Sequence, residues 1–163
     1  MSKDDKIKEL EETIKKAQEQ IQELKAMKDS KVWKPKTNGG YYSIYGDGDI
    51  GFHVWNASQP QHQKKYEVGN CFKTRKEAAE AVEIKKIDTE LRRYALEHNE
   101  ADIDWKNGNQ AKYFIEYNTN ARLCTNCIYS TKAPNQIYFT STKIALEAIE
   151  AIGRDRVEKW AKA

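Results

Sequence analysis

Residues 71–83, CFKTRKEAAEAVE, align without a gap on residues 138–150, YFTSTKIALEAIE. Phe72 falls on Phe139, Thr74 on Ser141, Ala78 on Ala145 and Val82 on Ile149. Upstream, Trp33-Lys34 stands eight residues before Tyr41-Tyr42, and Trp105-Lys106 stands eight before Tyr113-Phe114. Two matches in the same order favour internal duplication over chance. The offset is 72 at the front and 67 at the back, so the second copy has the shorter middle loop.

Each copy reads as strands followed by a helix. In the first, YYSIY (41–45) is rich in strand formers, Gly46-Asp47-Gly48 supplies a tight hairpin turn, and IGFHVW (50–55) returns. The polar stretch 56–65, with Pro60, reads as a loop, and KYEVGNCF (65–72) as a third strand. Thr74 then caps a helix, with Glu77 completing a capping box. No breaker precedes Asn99, so that helix is expected to run some two dozen residues through Ile84, Ile87, Leu91 and Ala95. The second copy repeats the plan with KYFIEY (112–117), a turn at 118–120, RLCTNCIYS (122–130) and IYF (137–139). Ser141 caps its helix, Gly153 ends it as a left-handed cap, and 155–161 form a last short helix docking Trp160. Hairpin-joined strands are antiparallel and a helix covers one face, so the expected class is α+β. The expected domains are a helix over 1–31 and two βββα units over 32–99 and 100–163.

Residues 1–30 contain no aromatic, Gly or Pro. Ile7, Leu10, Ile14, Ala17, Ile21 and Leu24 recur at spacings of three and four, a heptad pattern with Ile at each a position. That combination suits a parallel two-stranded coil, in which Lys6 at g faces Glu11 at e of a second copy. The alternative is that the stripe packs on its own domain.

The 163 residues carry 28 Lys and Arg against 25 Asp and Glu, a formal charge of +3. Residues 1–31, 32–88 and 89–163 balance at 0, +2 and +1, so no segment is a polycation or an acidic mimic of nucleic acid. Aromatic residues at 10% argue against wholesale disorder, and no apolar run is long enough to span a membrane. Three cysteines cannot all pair within one chain, and MSKDDKIKEL lacks the apolar core of a secretion signal, so a cytoplasmic location is expected. Cys124 and Cys127 form a Cys-x-x-Cys, which reads as half a zinc site, a redox pair or simply packed thiols. Cys71, His53, His62 and His98 show no paired ligand spacing, so neither metal nor cofactor is expected.

Strand alternation puts Tyr41, Ser43 and Tyr45 on one side of their strand and Tyr42 and Ile44 on the other. Likewise Tyr113, Ile115 and Tyr117 oppose Phe114 and Glu116. The periodicity does not say which side meets the helix. Trp33, Lys34, Tyr41, Tyr45, Trp55, Lys73, Trp105, Tyr113, Tyr117 and Arg122 are candidates for an aromatic and basic contact face. The competing reading buries the tyrosines in a core shared by the two sheets. Lys34, Lys36, Lys64, Lys65, Lys73, Arg75, Lys112, Arg122 and Lys132 near the aromatics make DNA or RNA an alternative partner, though Asp47, Asp49, Glu67 and Glu116 dilute their field. No phosphate-cradling glycine loop, metalloprotease helix or nucleophile elbow occurs, and solvation accounts for Asp102 and Asp104, so an enzyme is not expected.

WKPK (33–36) followed by YY (41–42) and GNCFKTRKEAAEAVE (69–83) resembles a family of small proteins of temperate phages and prophages of low-GC Gram-positive bacteria. The resemblance covers 33–98 and, less tightly, 105–157. It implies a phage-encoded binding protein that inhibits a host defence factor, such as a CRISPR effector. FKTRKEAAEA (72–81) is similar to the helix entry of the plant ethylene-response-factor DNA-binding domain and the phage-integrase arm-binding domain. Those lay a sheet rich in Arg and Trp in the major groove, whereas here the strands carry Tyr and few Arg. The sporulation-related peptidoglycan-binding repeat looks similar as well, but requires export.

Overall fold

The computed structural model describes residues 3–29, 32–118, 120 and 122–163. The order is α1 (Lys3–Asp29), β1 (Gly40–Ile44), β2 (Ile50–Val54), α2 (Pro60–Glu67), α3 (Arg75–His98), β3 (Lys112–Tyr117), β4 (Leu123–Ile128), α4 (Thr142–Ile152) and α5 (Arg154–Ala161). The fold is mixed α+β with two separate antiparallel two-stranded sheets, β1–β2 and β3–β4. The chain divides into two compact units, residues 1–78 and 79–163.

In the first unit, β1 and β2 pair from Gly40↔Val54 to Ile44↔Ile50. The turn between them closes through Tyr45 N–H to Asp49 O (2.8 Å), and Gly48 takes φ of 92°, a value that a side chain would strain. The expected third strand does not form. Pro60, at the first turn of α2 where a missing N–H costs nothing, starts a helix over Pro60–Glu67 inside the segment read as loop and strand. After Gly69 (φ 73°), the Asn70 side chain accepts from Ile44 N–H (2.7 Å) and donates to Ile44 O (2.8 Å). That amide replaces a strand partner at the end of β1. Only a single bridge, Tyr42↔Phe72, remains of the third strand.

The capping box opens α3 as expected: Glu77 N–H donates to Thr74 Oγ1 (3.1 Å), and Thr74 N–H donates to Glu77 Oε2 (3.3 Å). The helix spans 24 residues. The boundary expected at 99/100 lies within this helix instead, because Ile87, Leu91 and Ala95 sink into the core of the second unit.

That core is aliphatic. Ile87, Leu91, Ile115, Ile137, Phe139, Ile144, Ile149 and Val157 pack with three alanines, and Tyr113, Leu123 and Trp160 lie against them. In α4 the buried residues Ile144, Ala145, Ala148 and Ile149 form one helical stripe. Ser141 Oγ accepts from Ile144 N–H (3.2 Å). IYF contributes one bridge, Tyr113↔Phe139, rather than a strand. Gly153 (φ 101°, ψ 119°) separates α4 from α5 with a positive φ but outside the left-handed helical region expected. Arg156 on α5 ties to α3 through Glu83 (Nε to Oε1, 2.9 Å) and, in a fork, Glu90 (2.7 and 3.0 Å). The turn at 118–120 contains Thr119, outside the described residues.

Candidate functional site

Alternation along β1 and its register with β2 bring Tyr41, Ser43, His53 and Trp55 to one face of the first hairpin. α2 covers that face. His62, Lys65 and Tyr66, spaced one helical turn apart, meet the hairpin side chains: Lys65 by hydrogen bonds, His62 and Tyr66 through their rings. Tyr41, Ser43 and Trp55 are fully buried. Tyr41 and Trp55 pack edge to face with centroids 5.7 Å apart, and Lys34 Nζ stands over the rings of Trp55 (5.7 Å) and Tyr66 (5.3 Å).

The polar centre of the face is Ser43–His53–Lys65. Lys65 Nζ donates to Ser43 Oγ (3.0 Å) and lies 3.1 Å from His53 Nε2, which is 2.9 Å from Ser43 Oγ. An ammonium can only donate, so His53 Nε2 is an acceptor and the ring is neutral. Burial, Lys65 and His62 together hold His53 below the ordinary histidine value. Burial, with Cys71 and Tyr45 adding, pushes the Tyr41 phenol up to about 12. Burial also raises the Cys71 thiol, against the pull of Lys65. The Tyr41 hydroxyl and Trp55 indole N–H are buried with no acceptor among the described residues.

A serine beside a histidine and a lysine has the composition of an acyl-transfer site, but Ser43 has no exposed surface through which a substrate carbonyl could reach it. These groups hold α2 on the hairpin. Ser43 and Lys65 escaped the sequence reading as a pair because 22 residues separate them.

The opposite face of the hairpin is open. Phe52 is 60% and Val54 53% exposed, and the Phe52 ring packs against Tyr42 at 5.3 Å and lies over Gly40, where a Cβ would collide with it. Tyr45, exposed at the turn, belongs instead to the covered face, where its ring lies across Gly51 and 5.8 Å from that of His53. The alternation of IGFHVW carries the signal for the open face, since Phe52 and Val54 keep step with Tyr42.

The remaining expected contact residues divide. Trp33, Lys73 and Arg122 are exposed, while Lys34, Trp105, Tyr113 and Tyr117 are half-buried. Tyr41 and Trp55 are core, which removes them from any contact face in this conformation. Tyr113 packs on the second core. Trp105 has Lys112 Nζ (5.4 Å) and Lys132 Nζ (5.8 Å) over its ring, and Tyr117 has Lys162 Nζ at 4.5 Å. Lys112 is fully buried and donates to Asn107 O and Tyr129 O, each at 2.8 Å. Cys124 and Cys127 sit three apart on β4, which turns them to opposite faces: Cys124 pairs across to Glu116, and Cys127 to Tyr113. They do not converge on a shared ligand. Burial and Glu116 push the Cys124 thiol up. No group of three or more potential metal ligands occurs among the described residues.

On α1, Ile7, Leu10, Ile14 and Ile21 are each more than half exposed, and Ala17 is exposed. The Leu24 side chain lies outside the described residues. Among the described residues no helix is long and apolar enough to cross a membrane. No protein-family model, curated protein or solved structure matches the chain.

Proposed function

We propose that the protein is a non-catalytic binding protein that engages another protein through apolar side chains its own fold leaves uncovered. The observation that carries this is the pair Phe52 and Val54, side by side on the hairpin face away from the core and more than half exposed. Adjacent large apolar groups facing water on a small unit are the signature of a contact surface. Tyr42 extends the patch, and Trp33 and Lys73 supply exposed aromatic and basic groups from the expected contact set. The burial of Ser43 favours binding over chemistry.

The α1 stripe is assigned to a second copy of the chain in a parallel coiled coil, because its a and d positions are apolar yet as exposed as the other described side chains of α1, and Lys6 complements Glu11. With the resemblance to phage proteins, the partner is a host defence factor, including a nucleoprotein effector complex, which the protein inhibits in the bacterial cytoplasm. The two halves are read as copies of one unit. Each hairpin takes one bridge from the residue two before a helix cap, Tyr42↔Phe72 ahead of Thr74 and Tyr113↔Phe139 ahead of Ser141.

Nucleic acid is the second reading, and it has less support. Base stacking needs an open ring face, whereas Trp55 is buried and lysines stand over Trp105.

Expression of the chain in a bacterium with an active defence system should raise the plating of a targeted phage. The double variant Phe52→Asp, Val54→Asp should abolish that rescue at unchanged helix content. Wild-type rescue by the double variant overturns the assignment of the face. Light scattering tests the helix separately: Ile14→Asp should halve the mass, and a mass equal to wild type removes the coiled coil.

A further inference from the structure

We propose that α2 is an acid-released lid, latched over the aromatic core of the first unit by the Ser43–His53–Lys65 group. The geometry requires His53 to be neutral. Its Nε2 faces a hydroxyl at 2.9 Å and an ammonium at 3.1 Å. Ser43 can rotate and accept from a protonated ring, but Lys65 cannot. A proton on Nε2 therefore places two cations and two donors head to head, and Lys65, carried by α2, is the one free to leave.

The groups facing His53 offer no relief. From β1 comes Tyr41 and from the turn after it Tyr45, whose rings lie 5.2 and 5.8 Å away, and from α2 come Lys65 and His62 (6.4 Å). Lys34 caps the far side of the cluster over Trp55 and Tyr66. No carboxylate among the described residues forms an ion pair or hydrogen bond with this group. His62 Nδ1 accepts from Asn56 N–H (3.0 Å).

The lid itself is lightly held. α2 has eight residues and none of them is fully buried. Beneath it lie two donors without acceptors, the Tyr41 hydroxyl and the Trp55 indole, which gain hydrogen bonds to water once it lifts. Opening thus turns two core aromatics, both candidates for partner contact by sequence, into surface.

Burial, with the Lys65 ammonium and His62 beside it, holds His53 below its ordinary 6.5 in the closed state. From that value downward the open state takes up a proton that the closed state refuses, so stability of the latch rises with pH and is lost on acidification. One such proton multiplies the open population by up to about tenfold per pH unit within the window.

Hydrogen exchange on the full chain between about pH 7.5 and 5.5 reads this directly, with residues 144–152 as internal reference. The exchange of 58–70 relative to the reference should rise several-fold on acidification. His53→Gln keeps an acceptor without titrating and should flatten the rise. If the Gln variant does not fold, Lys65→Met serves: it should raise the His53 midpoint followed by NMR and weaken the rise. A flat wild-type ratio overturns the proposal, and so does a wild-type rise in His53→Gln or Lys65→Met.

Discussion

The hairpin of the first unit is closed by rings and amines: Tyr41, Trp55, His53, His62 and Lys65, with a serine at the centre. That of the second is closed by Ile115, Ile137, Phe139, Leu91, Ile144 and Ile149. The second solution gains roughly 1.5–3 kcal/mol for each large aliphatic side chain buried and needs no partner geometry. The first gains ring area as well, but each buried polar atom must be matched, and two are not. A core built this way depends on protonation state and on a few directed bonds. The contrast sets a histidine-centred polar cluster inside the first core against apolar packing in the second.

Truncating each core tests the contrast with the largest expected effect. Trp55→Ala should cost about 3–5 kcal/mol in the first unit, and Leu91→Ala about 2–5 kcal/mol in the second. Hydrogen exchange resolved by segment should show each lesion confined to its own unit. If Trp55→Ala loosens 144–152 as much as 41–55, the two cores are one cooperative structure and the comparison dissolves.

Acid separates the units next. His53 lies below the ordinary 6.5, so the first unit loses stability as pH falls from there. Glu90 lies below the ordinary 4.5 because the Arg156 guanidinium bonds its carboxylate. Its contribution is complete above 4.5 and is lost only as pH falls through the lower folded value. Circular dichroism and tyrosine–tryptophan fluorescence should therefore show a first change starting near neutrality and a second in the carboxylate range. A single transition carrying both signals contradicts this order.

Local signals made much of the fold legible. The Thr74 and Ser141 caps, the Gly48 turn and the 24-residue reach of α3 are written in short windows where backbone chemistry decides. α2 was hidden because its inward residues, His62, Lys65 and Tyr66, have helical spacing but polar character, and a hydrophobic pattern does not register them. The inward face of β1–β2 was equally hidden. Both faces carry large side chains, and the fold buries Tyr41 and Trp55 while leaving Phe52 and Val54 out, against a ranking by apolarity alone. Register supplies a further instance. The Trp-Lys spacing pairs Tyr41 with Tyr113, whereas the two bridges set Tyr42 in the place of Tyr113. That slip of one residue exchanges faces, and it makes buried Lys112 the counterpart of buried Tyr41. The allegiance of α3 follows from Ile87, Leu91 and Ala95, whose partners lie 20 or more residues downstream and leave no local trace.

The smallest effect concerns the ionic tie between α5 and α3 in the aliphatic unit. Arg156 reaches Glu83 and forks onto Glu90 with good geometry, yet its side chain is 39% exposed and both carboxylates are similarly open. Water already solvates most of this charge, so the fork orients α5 more than it stabilises it. Arg156→Gln, which keeps part of the aliphatic stem, should lower stability by no more than about 1 kcal/mol at neutral pH. The loss should shrink with added salt and fall away in acid, once Glu90 is protonated. Thermal melts at two salt concentrations measure it. A loss comparable to Leu91→Ala, insensitive to salt, means that the second unit leans on a directed polar contact just as the first does, and the distinction between the two cores narrows to their residue types.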